Sequence, residues 1–269
     1  MVRHQRRKVF ERNRPACVVC ELSPLEGTVP SEVLLPPMAS QEPWFSRFGD
    51  KIIALDCESV QKPVGSSDDF TTQVSSTGFV RFRFKPGTQK RYRSEAATVG
   101  LAWADGRRKT YRIKHPKDSY MVNRHTIGIN GFQRNSLVDG ESLENVTKKI
   151  LAEFEDHLIV THTGASDFSA LGLCVGDFTN QWFDITMLFK RKDGSSYGLK
   201  KIYDYYYPDT KFQDGHHEAV EDAAATLKLF NVCKDLCIKN RVLGQTMAYY
   251  MSESFELLEH DVFDDDLFS

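Results

Sequence analysis

A short and almost entirely apolar run constrains the fold of this chain more than any other feature. Ile52-Ile-Ala-Leu-Asp56-Cys57 is typical of a buried central strand. Glu58 follows two residues after Asp56, and side chains two apart on a strand point to the same face. Two neighbouring carboxylates repel each other unless a cation lies between them. Carboxylate ligands favour Mg²⁺ or Mn²⁺; a polar strand end facing solvent is the alternative explanation.

A second carboxylate follows another buried strand. Leu158-Ile-Val160 predicts a short strand that leads to His162, and a helix is expected to begin near Ala165. Asp167 then falls in the first turn of that helix. A carboxylate in this position can simply complement the helix dipole, or it can belong to a site at the end of the strand.

A third motif lies at the start of a long, alanine-rich segment that predicts a helix over 218–239. His217 precedes Asp222 by five residues. Imidazole can accept and release protons near neutral pH, and Asp222 is a candidate metal ligand. An ordinary acidic first turn, with His216 or His217 on the surface, explains the same residues equally well.

The order of the elements predicts an α/β fold. Strands are expected at 79–84, 97–103 and 109–113, with a hairpin turn at Asp105-Gly106 and a helix over 141–154. A loop is expected over 61–78, which is rich in Ser, Thr, Gly and Asp, and a further helix is expected to begin near Asp184. Several strands followed by a helix, a strand and more helices favour a mixed central β-sheet flanked by helices. This is the arrangement of a ribonuclease-H-like fold rather than of a doubly wound sheet.

The chain has 269 residues and a formal net charge of only −2, but its two ends differ sharply in charge. Six of the first fourteen residues are Lys or Arg, whereas the last seventeen carry seven Asp or Glu and no Lys or Arg. We therefore predict an N-terminal extension over 1–48, one folded domain over 49–242 that is large enough to carry an active site, and a C-terminal helix and acidic tail over 243–269. The tail could dock on a protein partner, or it could be disordered.

The sequence contains no run of about 18 apolar residues, the length that spans a bilayer, and no apolar segment typical of a secretory signal. We therefore expect no membrane association and a location in the nucleus or cytoplasm. The six cysteines are expected to be reduced there. Cys17 and Cys20 have zinc-like spacing, but no second pair follows at a suitable distance.

Taken in order, the three motifs resemble those of the DEDDh (DnaQ-like) 3′–5′ exonucleases. The subgroup with the closest motifs contains RNA exonucleases such as the interferon-stimulated exonuclease. Its members typically carry Ala-Leu-Asp-Cys-Glu-Met-Val and His-Ser-Ser-Val-Glu-Asp-Ala, where this chain has 54–60 ALDCESV and 217–223 HEAVEDA. The resemblance covers about residues 51–239, and Ser59 replaces the usual Met.

The resemblance implies a metal-dependent 3′–5′ exonuclease that hydrolyses single-stranded nucleic acid to nucleoside 5′-monophosphates with two Mg²⁺ or Mn²⁺ ions. RNA is the favoured substrate, and DNA is the other candidate. His217 would act as the general base, and Ser59 and His162 would contact the substrate. The implied metal ligands are Asp56, Glu58, Asp167 and Asp222. A non-catalytic protein that binds nucleic acid or a partner on the same fold is the alternative.

Two smaller features lie outside these motifs. Asp184 is expected to be structural. The basic and aromatic residues of 79–93 could hold a nucleic-acid strand by charge and stacking. An ordinary basic strand face next to a solvated loop explains the same pattern.

Overall fold

A computed structural model describes residues 43–174, 181–191 and 194–240. The β-strands in these ranges are β1 (Ile52–Pro63), β2 (Phe70–Val74), β3 (Val80–Phe84), β4 (Tyr92–Trp103), β5 (Arg108–Arg112), β6 (Leu158–Thr161) and β7 (Trp182–Asp184). The α-helices are α1 (Arg124–Asn130), α2 (Leu143–Phe154), α3 (Gly164–Ala170), α4 (Leu199–Tyr206) and α5 (Ala219–Lys239). The basic start of the chain, Cys17, Cys20 and the acidic tail lie outside the described residues.

One mixed sheet carries five of these strands in the order β5-β4-β1-β6-β7. β4 runs antiparallel to both β1 and β5, whereas β6 runs parallel to both β1 and β7. An antiparallel meander on one side of the first strand and parallel strands on its other side give the ribonuclease-H-like arrangement. The predicted fold class is therefore confirmed.

β1 is buried on both faces because its apolar residues alternate between two cores. Ile52 and Ala54 pack with side chains of α4 and α5. Ile53 and Leu55 pack with side chains of α2 and α3. None of these four residues exposes more than 2% of its surface. Helices therefore cover both faces of the sheet, with β1 at its centre.

α5 approaches the sheet closely because β4 has a glycine where the helix begins. Gly100 pairs with Asp56 across the β1–β4 ladder. A Cβ atom on Gly100 would lie only 2.1 Å from the carbonyl carbon of Ala219, the first residue of α5. A larger residue would push the start of α5 away from β4, and Asp222 in its first turn would move with it.

The sequence predicts some elements wrongly. It predicts a loop over 61–78, but the structure places the end of β1 and all of β2 there. Most of β2 is exposed, so the apolar alternation that identifies a strand is absent. α1 has no buried residue and is not predicted either. The helix expected near Asp184 is a short 3₁₀ turn, Ile185–Met187.

The described chain packs against the core from its first element onward. Phe45, in the 3₁₀ turn Trp44–Phe48, is 8% exposed and belongs to the core under α5. The ring of Trp44 lies 5.2 Å from that of Phe183 on β7. The domain bounds 49–242 stay a prediction. No helix in the described ranges is long and apolar enough to cross a membrane.

We expect Gly100→Ala to lower the free energy of unfolding by roughly 1–3 kcal/mol, because the new methyl group would overlap backbone atoms that cannot rotate away. Urea unfolding measures the effect. Gly128→Ala is the matched control, since a Cβ there meets no atom within 4 Å and alanine suits the interior of α1. Equal midpoints for the two variants would contradict the close contact between α5 and β4.

Candidate active site

Asp56 and Glu58 project from β1 towards α5. Both continue the alternation that places every second residue of the strand on the α5 side of the sheet. Asp56 is partly buried, and Glu58 is 8% exposed. The β1–β4 pairing shifts by one residue between Glu58 and Ser59. Such an irregularity bends the strand beside the two carboxylates.

Asp222 and His217 reach the same place from the start of α5. Asp222 is in the first turn of the helix and is 4% exposed. Nδ1 of His217 lies 3.6 Å from Oδ2 of Asp222 and 3.9 Å from Oε1 of Glu58. The exposed His216 instead directs its Nδ1 to the carbonyl oxygen of Gly128, at 3.4 Å. The geometry therefore brings His217, and not its neighbour, to the carboxylates.

Asp167 comes from α3 and is 7% exposed. Its carboxylate accepts a hydrogen bond from the backbone of Cys57, which lies between the two acidic residues of β1. The first turn of α3 follows Thr163, whose φ of 61° is in the left-handed region. This turn points Asp167 back at the strand, so the residue is more than a surface helix cap.

The turn before α3 is held in place by Asp184 at the end of β7. The Asp184 carboxylate accepts hydrogen bonds from the backbone N–H groups of Thr163, Gly164 and Thr186, at 3.2, 2.9 and 2.9 Å. The Thr186 hydroxyl donates a fourth, at 2.6 Å. With its oxygens used in this way, Asp184 has the expected structural role.

Burial raises the pKa of each carboxylate in the cluster, and repulsion within the cluster adds to this for Asp56, Glu58 and Asp167. Desolvation is the largest cause for all four. The pKa of Asp56 is raised well above its usual range, with added repulsion from Asp167, Asp222 and Glu58. Burial and the charge of Asp222 raise the pKa of Glu58 from 4.5 to about 7. The cluster therefore favours bound protons or bound cations.

The donor atoms fit a divalent metal ion. Asp167 Oδ2 and Asp222 Oδ1 are buried and have no hydrogen-bond partner within the described part of the chain, an arrangement that costs free energy unless something binds there. One ligand atom each from Glu58, His217 and Asp222 lie within 4.8 Å of one another. An oxygen-rich donor set of this kind suits hard divalent cations.

The cluster forms one wall of a cleft of about 370 Å³. His162 also lines this cleft, and its Nε2 donates a hydrogen bond to the carbonyl oxygen of Tyr197 at 2.8 Å. Ser59 does not line it: the residue is partly buried beside the strand irregularity, and its carbonyl oxygen accepts from Asn130 Nδ2 at 3.4 Å. The described residues that line the cleft are Asp56, Cys57, Glu58, His162, Thr163, Ser166, Asp167, Gly198, Leu199, Lys200, Gln213, His217 and Asp222.

Gln213 is a site residue that the sequence analysis does not identify. Its Nε2 donates a hydrogen bond to Asp222 Oδ2 at 2.7 Å and lies 3.4 Å from His217 Nδ1. Its φ of 53° is in the left-handed region, which a non-glycine residue adopts rarely. Gln213 thus orients both groups. Only the fold brings it to them, and its local sequence carries no signal beyond a turn near Gly215.

Lys200 is the second residue that the sequence analysis misses. It is the only Lys or Arg among the described residues that line the cleft. Its ammonium group donates to the carbonyl oxygen of Phe212 and lies 3.4 Å from Asp204. These contacts hold one positive charge at the rim of an otherwise acidic cleft.

The sequence matches no protein-family model and no curated protein. Among solved structures, the chain is similar to the Pan2 catalytic unit of Neurospora crassa, with its protease and nuclease domain. The identity is 16%, over 78% of this chain and 29% of that chain, and the TM-score is 0.44.

The chain is also similar to the Saccharomyces cerevisiae Pan2 pseudoubiquitin hydrolase–RNA exonuclease module in complex with AAUUAA RNA. The identity is 15%, over 76% of this chain and 32% of that chain, with a TM-score of 0.49. For the same module in complex with AAGGAA RNA, the identity is 16%, over 77% of this chain and 33% of that chain, and the TM-score is 0.46. The chain thus spans about a third of the length of each of these structures, and similarities this weak establish neither its family nor its activity.

We expect the metal-free protein to become less stable as the pH rises from about 4.5 to about 7, the interval over which the folded-state pKa of Glu58 is raised. The protonated form favours folding below this interval, and its contribution is lost as the pH passes through the folded-state pKa. Urea unfolding in EDTA at several pH values measures the loss. Above the folded-state pKa, Mg²⁺ or Mn²⁺ should restore stability.

Glu58→Gln is the control for this pH dependence, because it keeps the shape of the side chain and removes the titrating group. It should flatten the decrease in stability between these pH values and reduce the gain from added metal. A wild-type protein whose metal-free stability rises through this interval, relative to Glu58→Gln, would contradict the raised pKa of Glu58 in the folded protein.

Proposed function

We propose that this protein is a divalent-metal-dependent 3′–5′ exonuclease of the DEDDh type, acting on single-stranded nucleic acid with RNA preferred over DNA. One observation carries the proposal: four carboxylates and one imidazole converge on a single cleft from separate parts of the chain. These five side chains are of the types that the motif resemblance requires. The residues are Asp56, Glu58, Asp167, His217 and Asp222.

The carboxylates supply the metal ligands. Asp56, Glu58 and Asp222 would hold one Mg²⁺ or Mn²⁺, and Asp167 together with Asp56 would hold a second. Two such ions, when bound, neutralise charge that develops on the phosphate and lower the pKa of the attacking water. Gln213 supports this arrangement by donating to Asp222 Oδ2, since groups that orient a metal ligand contribute to metal affinity.

His217 receives the proton of the attacking water. Nδ1 is the ring nitrogen that faces Glu58 and Asp222, so this atom takes the proton. The backbone N–H of His217 donates to the carbonyl oxygen of Ile129 at 2.7 Å. That bond fixes the residue at the end of α1 while Gln213 contacts its ring. An imidazole held in this way is poised to act as a general base.

The size of the cleft favours a single-stranded end as substrate. At about 370 Å³ it falls near the lower end of small-molecule sites, which are roughly 300–1,000 Å³. It accommodates the end of one strand more readily than a base-paired end, and nucleoside 5′-monophosphates leave one at a time. His162 contacts the substrate from the cleft wall. The substrate contact of Ser59 that the motif resemblance implies would have to form outside this cleft, because Ser59 does not line it. A docking role for the acidic tail and a location in the nucleus or cytoplasm remain proposals from the sequence.

We expect the protein to shorten 5′-labelled RNA from its 3′ end in the presence of Mg²⁺ or Mn²⁺, and EDTA to stop the reaction. Asp56→Asn and Asp222→Asn should each abolish turnover and leave the fold intact, because each removes a metal ligand from a group of like charges. Denaturing gels of time courses, together with circular dichroism, measure both effects.

Asp235→Asn is the matched control for Asp222→Asn, since Asp235 is exposed on the same helix. It should retain full activity. Blocking the RNA 3′ end with a phosphate should slow wild-type cleavage strongly. Cuts within a circular strand would favour an endonuclease, and RNA binding without cleavage in either metal would favour the non-catalytic alternative.

We also expect His217→Ala to lower the single-turnover rate by about 10²-fold or more, the scale of a general base. His216→Ala should cost little, because its ring faces Gly128 rather than the carboxylates. Rapid-quench measurements across a range of pH compare the two variants. Mn²⁺ titration then separates two roles for His217: unchanged affinity in His217→Ala supports a base, whereas a large loss of affinity would identify a ligand.

A further inference from the structure

One stretch of the chain has a charge opposite to that of the cleft. Between Phe70 and Ser94 there are six Lys or Arg residues and no Asp or Glu, in a chain whose formal net charge is −2. The stretch contains β2, β3 and the start of β4. Its positive charge is therefore concentrated on one two-stranded ribbon and the loop that follows.

The strand register separates the two faces of this ribbon, which consists of β2 and β3. On its inner face, Val80, Phe82 and Phe84 are buried in a core shared with Val60 of β1. The residues between them point the other way.

The outer face carries positive charge without a neighbouring carboxylate on either strand. Arg81 pairs with Gln73, and Arg83 pairs with Thr71, across the β2–β3 ladder. Both arginines are exposed, and neither forms an ion pair with any residue in the described ranges. Two guanidinium groups thus lie on one open face with only neutral cross-strand neighbours.

Two acidic residues, Asp69 and Glu95, flank this stretch. The Asp69 carboxylate accepts hydrogen bonds from the backbone N–H and the hydroxyl of Ser66, at 2.7 and 3.0 Å.

The carboxylate of Glu95 is also engaged. Glu95 of β4 binds Lys62 at 2.5 Å and Arg93 at 3.0 Å. Burial acts to raise the pKa of this group, but the hydrogen bond and charge of Lys62, together with the charge of Arg93, lower it overall. Glu95 therefore stays charged and paired, and it does not neutralise Arg81 or Arg83.

The ribbon is joined to the strand that carries the cleft. Val80 exchanges two backbone hydrogen bonds with Val122, at 2.9 and 3.0 Å, and Met121 N donates to the Gln61 carbonyl oxygen at 2.9 Å. Gln61 is three residues beyond Glu58 on β1, or about 10 Å along the strand, and each added strand lies about 5 Å further out. A nucleic-acid strand of several nucleotides can span that separation.

We propose that the outer face of the β2–β3 ribbon, through Arg81 and Arg83, binds phosphates of the same single strand whose 3′ end occupies the cleft. The proposal rests on the proposed function for the position of that end. Guanidinium groups match phosphate geometry, and each phosphate contact releases counterions, so binding weakens as salt rises. The two arginines would contact the sugar-phosphate backbone of the nucleic acid and would not select its base sequence.

Affinity measurements in EDTA test this surface without relying on cleavage. Arg81→Gln/Arg83→Gln should weaken binding of a fluorescent RNA of about 20 nucleotides by about 10-fold. The negative slope of log affinity against log salt concentration should become shallower by about 1.4, because two phosphate contacts are lost. An RNA of about 4 nucleotides, too short to reach the ribbon, should bind the wild type and the variant equally. Arg81→Lys/Arg83→Lys should retain most of the affinity and reports on folding.

Lys148→Gln/Lys149→Gln is the matched control, because it changes the net charge equally at exposed positions of α2. It should leave binding of the long RNA unchanged. An equal loss in both double variants, or no loss and the same salt slope in the arginine variant, would overturn the proposal. The proposal would also be overturned if the arginine variant lost binding to vesicles of anionic lipid or to an acidic peptide but kept its binding to RNA. If the wild type binds RNA through this face but does not cleave it, only the exonuclease proposal fails.

Discussion

The burial of four carboxylates in one cleft is the constraint on which the arrangement of this protein depends. Folding removes these groups from water, which raises the pKa of all four, and it brings them together, which raises the pKa of Asp56, Glu58 and Asp167 further. The rest of the fold must supply enough packing to offset that cost. The alternating cores on the two faces of β1 do so, because the strand that carries Asp56 and Glu58 also contributes buried residues to both of them.

Close approaches of the backbone determine how near the carboxylates come. Gly100 lets the first residue of α5 touch β4, which brings Asp222 to the strand. At the other side of β1, Asp184 holds the turn at Thr163 and Gly164, which directs Asp167 inward. The geometry of the site therefore depends on residues that have no chemical role in it, and a change at one of them would act by moving a carboxylate.

Local sequence patterns predict the parts of this structure whose signals are local. The apolar run of β1 and the alanine-rich start of α5 identify both their elements and their carboxylates, because burial and periodicity are visible within a few residues. Gln213 cannot be found in this way, since its role arises from contacts with Asp222 and His217 that form only in the folded chain. β2 is missed for a related reason: its residues are mostly polar and exposed, so nothing in their pattern requires a strand.

The proposed function requires opposite charges in different parts of the same domain. A nucleic acid is a polyanion, and an acidic cleft repels it unless cations are bound there. Three sources could then attract the nucleic acid: the metal ions, Lys200 at the rim, or a surface away from the cleft. The ribbon has arginines on an open face, whereas Lys200 is already engaged with Phe212 and Asp204. Affinity for a long strand and the chemistry at its end would accordingly depend on separate residues, with β1 as the rigid element between them.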